Sequence, residues 1–282
     1  MNDKKVAVLF SGGTDSTLTA ALAAERYQKV YLITYQRLGF FSINNTKLNL
    51  HKLQSRFGKD KFIHQIIKID RLFNYVSYER YIRNVIKYGF LLLSTCGLCK
   101  MAMHLRTVIF CLDNHISNIC DGANQGMYLF PAQMDSVIEE VKKMYARFAI
   151  VYTTPVFDFA GPQDVEFTDR LHLESVLPNR QKEASSQDQK KKTTGYKLFE
   201  LGLMPSDNVK GTELDQKMQP RCFQFMLFNI YVLWYYLQYH SYDQYKQITV
   251  RFYKDKLESL TRLLVEYTTG VKGSKLSKLV EK

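Results

Sequence analysis

Short apolar runs alternate with helical patterns through the first half of the chain. Apolar runs predict strands at Lys5–Phe10, Val30–Tyr35, Phe62–Ile69, Ser117–Cys120 and Ala149–Val156. Helical patterns between them predict helices at Asp15–Tyr27, Asn44–Phe57, Arg71–Tyr88, Leu98–Asn114 and Gln133–Phe148. This alternation predicts an α/β fold, a doubly wound parallel sheet with helices on both faces. In such sheets ligands bind beyond the carboxyl ends of the strands.

The pattern changes after Val156. The segment Asn179–Gly195 is polar, lacks aliphatic residues and contains three consecutive lysines, Lys190–Lys192. It predicts an exposed linker at residues 179–195 between a domain at 1–178 and a helical region at 196–282. The most apolar segment, Phe223–His240, contains Gln and Asn and predicts a buried helix rather than a membrane span.

Composition favours a polyanionic partner. The 282 residues carry a formal net charge of +12, and 19 tyrosines and 18 phenylalanines offer stacking surfaces. Charge alone does not separate tRNA from DNA. The N-terminus leads directly into a predicted strand without the features of a signal peptide, so we expect a cytoplasmic protein, with no membrane partner. Its five cysteines are then expected to be reduced or metal-bound.

The joint between the first strand and the first helix has the sequence Ser11-Gly12-Gly13-Thr14-Asp15-Ser16. Two glycines let the backbone turn sharply, and successive N–H groups at a helix start form a cradle for phosphate. The hydroxyls of Ser11, Thr14 and Ser16 add donors. A carboxylate beside a phosphate is repelled unless a cation mediates, so Asp15 indicates Mg²⁺ or a helix cap.

This joint resembles the Ser-Gly-Gly-x-Asp-Ser motif of the PP-loop (N-type) ATP pyrophosphatases. Members of that superfamily cleave ATP between the α- and β-phosphates, transfer AMP to a carbonyl oxygen of the substrate and release pyrophosphate. The resemblance implies that residues 11–16 bind the pyrophosphate end of ATP with Mg²⁺, and that residues 1–178 form the PP-loop domain. It also implies that adenine lies near the end of the second strand, at Thr34–Leu38. Lys4, Lys5 and Arg37 either contact phosphates or are surface charges; we favour the surface for the two lysines.

Two cysteines, Cys96 and Cys99, stand two residues apart at the start of a predicted helix. Such a pair can chelate a metal or carry a persulfide, and a helix N-terminus favours the thiolate. Cys222 opens the last helical region, whereas Cys111 and Cys120 fall in apolar segments and are expected in the core. Two close cysteines plus a distant one suit an iron–sulfur cluster with an open iron, or zinc with a further ligand. His104 is a weaker ligand candidate.

The segment Thr95–Phe110 is similar to the Cys-x-x-Cys helix of the tRNA 2-thiocytidine and 2-thiouridine synthetase branch of this superfamily. The resemblance implies that Cys96, Cys99 and Cys222 hold a [4Fe–4S] cluster that carries sulfur, with Asp15, Cys96 and Cys99 as catalytic residues. That branch has Gly-His-x-x-Asp-Asp after its fourth strand, where this chain has Asp121-Gly122-Ala123-Asn124-Gln125-Gly126. Asp121, Gly122 and Asn124 are expected near ATP in its place.

These observations predict an ATP-dependent sulfur transferase acting on a tRNA base. One alternative is a small-molecule ligase or amidating enzyme with the same ATP chemistry, similar to deazaguanine nitrile synthases. Another is a nucleotide- or RNA-binding module without turnover. The sequence identifies neither the acceptor nor the sulfur donor, and it is compatible with a homodimer without fixing the oligomeric state.

Overall fold

The computed structural model describes residues 4–89, 97–159, 193–271 and 273–280. A five-stranded sheet forms its centre, with the order β4-β2-β1-β5-β6 and every neighbouring pair parallel. The strands are β1 (Lys5–Leu9), β2 (Lys29–Gln36), β4 (Phe62–Lys68), β5 (Asn118–Asp121) and β6 (Val151–Thr153). A separate antiparallel pair joins β3 (Phe40–Phe41) to β7 (Arg221–Cys222).

Helices cover both faces of the sheet. Up to residue 159 the helices are α1 (Thr14–Arg26), α2 (Thr46–Phe57), α3 (Asp70–Tyr78), α4 (Tyr81–Tyr88), α5 (Gly97–Asp113) and α6 (Asp135–Ala146). From residue 193 onward the helices are α7 (Thr194–Glu200), α8 (Glu213–Met218), α9 (Phe223–Tyr231), α10 (Tyr242–Thr268) and α11 (Lys275–Val280). Two buried apolar clusters, one against each face of the sheet, confirm the predicted α/β fold with a helical C-terminal region.

The strand order creates a switch point beside β1. The chain moves from β1 through β2 to β4 on one side, and then returns to place β5 and β6 on the other. In open parallel sheets, ligands bind in the crevice that such a reversal opens at the carboxyl ends of the strands. The loop after β1, residues 10–13, lies at this position.

Two predicted helices differ from the structure. The helix expected over Arg71–Tyr88 is divided into α3 and α4, because Arg80 takes a left-handed φ of 55°. The helix expected over Phe223–His240 continues from α9 through a π-helical turn at Val232–Tyr236. Helix propensity is similar on both sides of Arg80 and through the π-helical turn, so the sequence pattern alone predicts one continuous helix in each case.

The prediction that Phe223–His240 is buried holds for only one of its faces. Phe228, Val232 and Leu237 are buried in the core, whereas Met226 and Ile230 are 55% and 57% exposed. Within the part of the chain that the structure describes, no helix has the length and hydropathy of a membrane span. The predicted linker, residues 179–195, and the boundary at residue 178 fall largely outside the described residues, so the domain limits stay a prediction.

Candidate active site

The SGGTDS loop turns from β1 into α1 at the switch point of the sheet. Gly12 takes a left-handed φ of 79°, which a side chain would strain, and Gly13 is the extended residue before the helix. No side chain among the described residues caps the N-terminus of α1. Uncapped N–H groups and the positive end of the helix dipole favour an anion here.

Hydrogen bonds turn the loop carbonyls toward the protein. The Gly12 carbonyl accepts from Asn49 Nδ2 at 2.6 Å, and the Gly13 carbonyl accepts from Ser16 Oγ at 3.2 Å. Ser16 Oγ also accepts from the Ser11 N–H at 3.2 Å. With the carbonyls engaged in this way, the start of α1 presents donors rather than acceptors to a ligand. Asn49 is fully buried, and nothing in its helical sequence context distinguishes it as a loop-bracing residue.

A segment from the C-terminal region packs onto the two glycines. A Cβ on Gly12 would lie 2.4 Å from the Met218 carbonyl oxygen, and one on Gly13 would lie 2.6 Å from Gln219 Oε1. Cys222 follows three residues after Gln219. The loop predicted to bind ATP and the distant cysteine are therefore connected by a short stretch of chain at one edge of the sheet.

Asp15 lies in the first turn of α1, as predicted. Its Oδ1 accepts a hydrogen bond from the Thr194 hydroxyl at 2.7 Å. Burial raises the pKa of the Asp15 carboxyl, and the Thr194 hydrogen bond lowers it in part. A raised pKa means that burial disfavours the charged carboxylate, and a nearby cation would stabilise that charge. Asp15 therefore fits the Mg²⁺ that the resemblance implies.

Thr34 lies inside the sheet at the level of the loop. Its hydroxyl donates to the Phe10 carbonyl at 2.7 Å and shares a hydrogen bond with His64 Nε2 at 2.8 Å. The residue is 2% exposed. In this arrangement Thr34 ties β1 to β2 and β4, so its contact with ATP stays a prediction.

The segment after β5 approaches the loop from the other side. A Cβ on Gly122 would lie 2.8 Å from the Ser16 backbone nitrogen, which shows how closely β5 approaches α1. Asn124 is fully buried, accepts from the Gly126 N–H at 2.7 Å and donates to the Val156 carbonyl at 3.4 Å. Asn124 thus shapes the turn that follows β5.

Asp121, at the end of β5, forms a buried ion pair. It accepts from Lys100 Nζ at 2.8 Å and from the Tyr152 hydroxyl at 2.8 Å. Burial would raise the pKa of Asp121, but Lys100 and these hydrogen bonds outweigh it and the pKa is lowered. Asp121 is therefore ionised and already paired, and it connects α5 to the sheet.

The structure brings together two of the three predicted cysteine ligands. Arg37, the residue after β2, donates from Nε to Cys99 Sγ at 2.9 Å and from Nη2 to Cys222 Sγ at 3.3 Å. Cys96 lies outside the described residues. Arg37 is 4% exposed, so its buried position distinguishes it from Lys4 and Lys5, which are exposed as expected.

The other cysteines and His104 belong to the core. Cys111 and Cys120 are buried, as predicted, and their pKa values are raised by burial. His104 shares a hydrogen bond with the Tyr145 hydroxyl at 3.1 Å, and burial lowers the pKa of its imidazole to about 3. His104 is therefore a neutral core residue in this arrangement.

Cys99 differs from the expectation of a stabilised thiolate. Burial raises its pKa to about 11, although the nearby Arg37 guanidinium acts in the opposite direction. Desolvation outweighs the favourable charges because Cys99 lies inside the protein rather than at an open helix end. Among residues 4–89, 97–159, 193–271 and 273–280, no group of three or more His, Cys, Asp or Glu side chains suits a metal ion, and Cys96 is not in that set.

The chain is similar to several solved structures, although not to a known sequence family. No protein-family model matches the sequence, and no curated protein matches it. The chain is 24% identical to a structure described as a predicted subunit of a tRNA methyltransferase from Methanocaldococcus jannaschii, covering 78% of this chain and 96% of that one, with a TM-score of 0.36. It is 13% identical to a 4-thiouridine synthetase solved with RNA and bound ATP, covering 92% of this chain, with a TM-score of 0.47.

The chain spans 52% of the length of that 4-thiouridine synthetase. Its own architecture is a parallel α/β sheet with β1 at the switch point and the SGGTDS loop between β1 and α1. This fold, and the position of the loop within it, are those that the resemblance to the PP-loop ATP pyrophosphatases implies.

Proposed function

We propose that this protein is a PP-loop ATP pyrophosphatase that adenylates a carbonyl oxygen on a tRNA base and replaces that oxygen with sulfur. The observation that carries the proposal is the shared location of two sites. The SGGTDS loop packs against Met218 and Gln219, and Cys222 follows at once to meet Cys99 across Arg37. Chemistry that begins on ATP and ends with sulfur needs both groups at one edge of the sheet.

ATP binds with its phosphates at the start of α1. The uncapped N–H groups of α1 and the hydroxyls of Ser11 and Thr14 stabilise the pyrophosphate as it leaves, while Ser16 braces the loop through the Gly13 carbonyl. Mg²⁺, when bound beside Asp15, supplies positive charge that offsets the phosphates and the carboxylate. The carbonyl oxygen of the base attacks the α-phosphate, and pyrophosphate departs with the bonding electron pair.

Sulfur then replaces the activated oxygen. A sulfur nucleophile held near Cys99 and Cys222 attacks the carbon that carries the adenylate, and AMP leaves with the former carbonyl oxygen. Cys99 and Cys222, together with Cys96, would hold the [4Fe–4S] cluster, which supplies a bound sulfide when present; zinc is the alternative metal. The pair of sulfurs on one side of Arg37 fits an anionic sulfur site.

Two other functions lead to different results. A small-molecule ligase would use the same ATP chemistry without an RNA acceptor. A binding module would hold ATP or RNA without turnover. We favour the sulfur transferase because Cys99 and Cys222 meet at Arg37, a few residues along the chain from the segment that packs on the proposed ATP loop.

The experiment that tests this function measures sulfur in RNA. Anaerobically purified protein, reconstituted with iron and sulfide, is incubated with unmodified tRNA transcripts, ATP and Mg²⁺, and the digested nucleosides are analysed by mass spectrometry. The proposal expects a nucleoside in which one oxygen is replaced by sulfur, absent without ATP and absent from a Cys222→Ala variant. Pyrophosphate release without any thionucleoside across all transcripts would reject sulfur transfer to tRNA.

A further inference from the structure

Arg37 is a buried cation that contacts two aromatic rings. It follows β2 at the edge where the SGGTDS loop lies, and only 4% of it is exposed. The guanidinium carbon lies 4.5 Å from the centre of the Phe40 ring and 4.3 Å from that of Phe73. These rings hold the guanidinium plane in place and exclude water from its faces.

Each nitrogen of the guanidinium donates at least one hydrogen bond. Nε–H donates to Cys99 Sγ, and Nη2 donates to both Cys222 Sγ and Gln224 Oε1. Nη1 donates to the Leu38 carbonyl at 2.7 Å. The Nε and Nη2 groups are the two prongs with which arginine binds a carboxylate or phosphate side-on. Here the two prongs meet two sulfur atoms instead.

The positive charge of Arg37 has no carboxylate partner within the described part of the chain. The ion pairs between described residues do not include Arg37. The nearby Asp70 carboxylate accepts a hydrogen bond from the Leu38 N–H rather than from the Arg37 guanidinium. The carbonyl and amide acceptors are neutral, and a protonated thiol is neutral too. A desolvated cation surrounded only by neutral acceptors is unfavourable unless an anion is supplied.

We propose that the Arg37 fork is a receptor for a negatively charged sulfur ligand held at Cys99 and Cys222. The ligand is the terminal sulfur of a cysteine persulfide or the sulfide of an iron–sulfur cluster, two sources that share an anionic sulfur accepting N–H donors. A persulfide forms when a cysteine thiolate attacks an S–S bond of inorganic polysulfide, and the shortened polysulfide leaves with the electron pair. This inference rests on the proposed sulfur transfer, because it assigns that reaction a sulfur-holding residue.

The test compares how three variants retain sulfur. Arg37→Gln removes the charge, Arg37→Lys keeps the charge without the fork, and Arg71→Gln on α3 is the matched control at an exposed arginine. One arm treats metal-free protein with inorganic polysulfide and follows the loss of cyanide-reactive sulfur after desalting. The other arm reconstitutes the protein anaerobically with iron and sulfide, and follows acid-labile sulfide and the cluster absorbance.

We expect wild-type protein and Arg71→Gln to retain sulfur in at least one arm. Retention after polysulfide treatment identifies a persulfide, and retention after reconstitution identifies the sulfide of a cluster. In that arm Arg37→Gln should lose sulfur about tenfold faster or more, the loss expected when one charge-assisted contact is removed, and Arg37→Lys should be intermediate. Circular dichroism checks the fold, and Arg37→Lys decides the result if Arg37→Gln does not fold.

Equal retention by the wild type and the folded Arg37 variants would overturn the proposal. Failure of the wild type to retain sulfur in both arms would also overturn it. Neither assay contains ATP or RNA, so their results are independent of the thionucleoside measurement. A protein that retains sulfur through Arg37 but modifies no RNA would disprove the proposed function and leave this inference standing.

Discussion

Asp15 places a carboxylate in the first turn of α1, where the loop is proposed to bind phosphate. A negative side chain there is stabilised by the helix dipole but repels a phosphate ligand. Burial already raises the pKa of this carboxyl. Asp15 is thus a negative side chain in a buried position, which disfavours its charge. Arg37 is a positive side chain in the same situation, because only 4% of it is exposed. A ligand of opposite charge resolves both conflicts.

Replacing Asp15 with Asn should lower the rate of ATP cleavage without lowering the free energy of unfolding. Because the folded-state pKa of Asp15 is raised, its contribution to stability is present at low pH and is lost as pH rises through that pKa. Asp15→Asn should therefore be at least as stable as wild type at pH 7 in urea unfolding, while ATP cleavage falls by about 100-fold or more. A variant that cleaves ATP normally would show that Asp15 is only structural.

The Lys100–Asp121 pair should show the opposite dependence on pH. The pKa of Asp121 is lowered, so its contribution is present above the unfolded pKa and is lost as pH falls through the folded value. Lys100→Met leaves a buried carboxylate without its cation, and should cost about 3–5 kcal/mol of unfolding free energy at pH 7. The cost should shrink in acid and in the double variant with Asp121→Asn. A cost that does not change between pH 7 and acid would contradict this account.

The contact between α5 and α10 explains one glycine of the Cys-x-x-Cys sequence. A Cβ on Gly97 would lie 2.2 Å from the Tyr253 hydroxyl. The small residue therefore lets the C-terminal helix approach the start of α5, the helix that carries Cys99. At the scale of elements, the helical region braces the site rather than merely following the α/β domain.

Gly97→Ala should loosen this contact. Overpacking of a close helix contact costs about 1–3 kcal/mol, and Tyr253→Phe in the same chain should recover part of that loss by removing the hydroxyl. Urea unfolding of both single variants and the double variant gives the coupling energy directly. Additive losses would show that Gly97 and Tyr253 do not interact as described.

The sheet and its helices follow from alternating patterns, since the central strands β1, β2 and β5 are largely buried apolar runs and the helical segments between the strands are long enough to cross the sheet. The SGGTDS loop follows too, because its residue types match a local requirement for tight turning and donors. Arg37 and Asn49 could not be predicted in their roles: their partners, Cys222 and Gly12, are distant in sequence. The division of α3 from α4 at Arg80 depends on one φ angle rather than on composition.

Charge is distributed unevenly over the whole molecule. The formal charge of +12 contrasts with Phe223–Tyr239, which contains no charged residue and exposes Met226 and Ile230. A surface without cations cannot release counterions from RNA phosphates. We therefore expect the RNA backbone to contact other parts of the molecule, including the lysine run Lys190–Lys192.

Neutralising Lys190, Lys191 and Lys192 to Ala should weaken RNA binding and reduce its dependence on salt. Each lost phosphate contact should lower the slope of log affinity against log salt by about 0.7 for single-stranded RNA and 0.9 for a duplex. Fluorescence anisotropy at several salt concentrations measures this slope, and Met226→Gln with Ile230→Gln is the control expected to leave it unchanged. An unchanged slope in the lysine variant would place the RNA backbone elsewhere.

We propose that the SGGTDS loop directs cleavage of ATP between its α- and β-phosphates. Anaerobic protein is supplied with unmodified tRNA, Mg²⁺ and ATP radiolabelled on the α- or γ-phosphate, and the products are separated by chromatography. We expect AMP and pyrophosphate in equal amounts, in a reaction that depends on RNA and is lost in Asp15→Asn. ADP and inorganic phosphate as the products, or release that is unaffected by Asp15→Asn, would contradict this proposal.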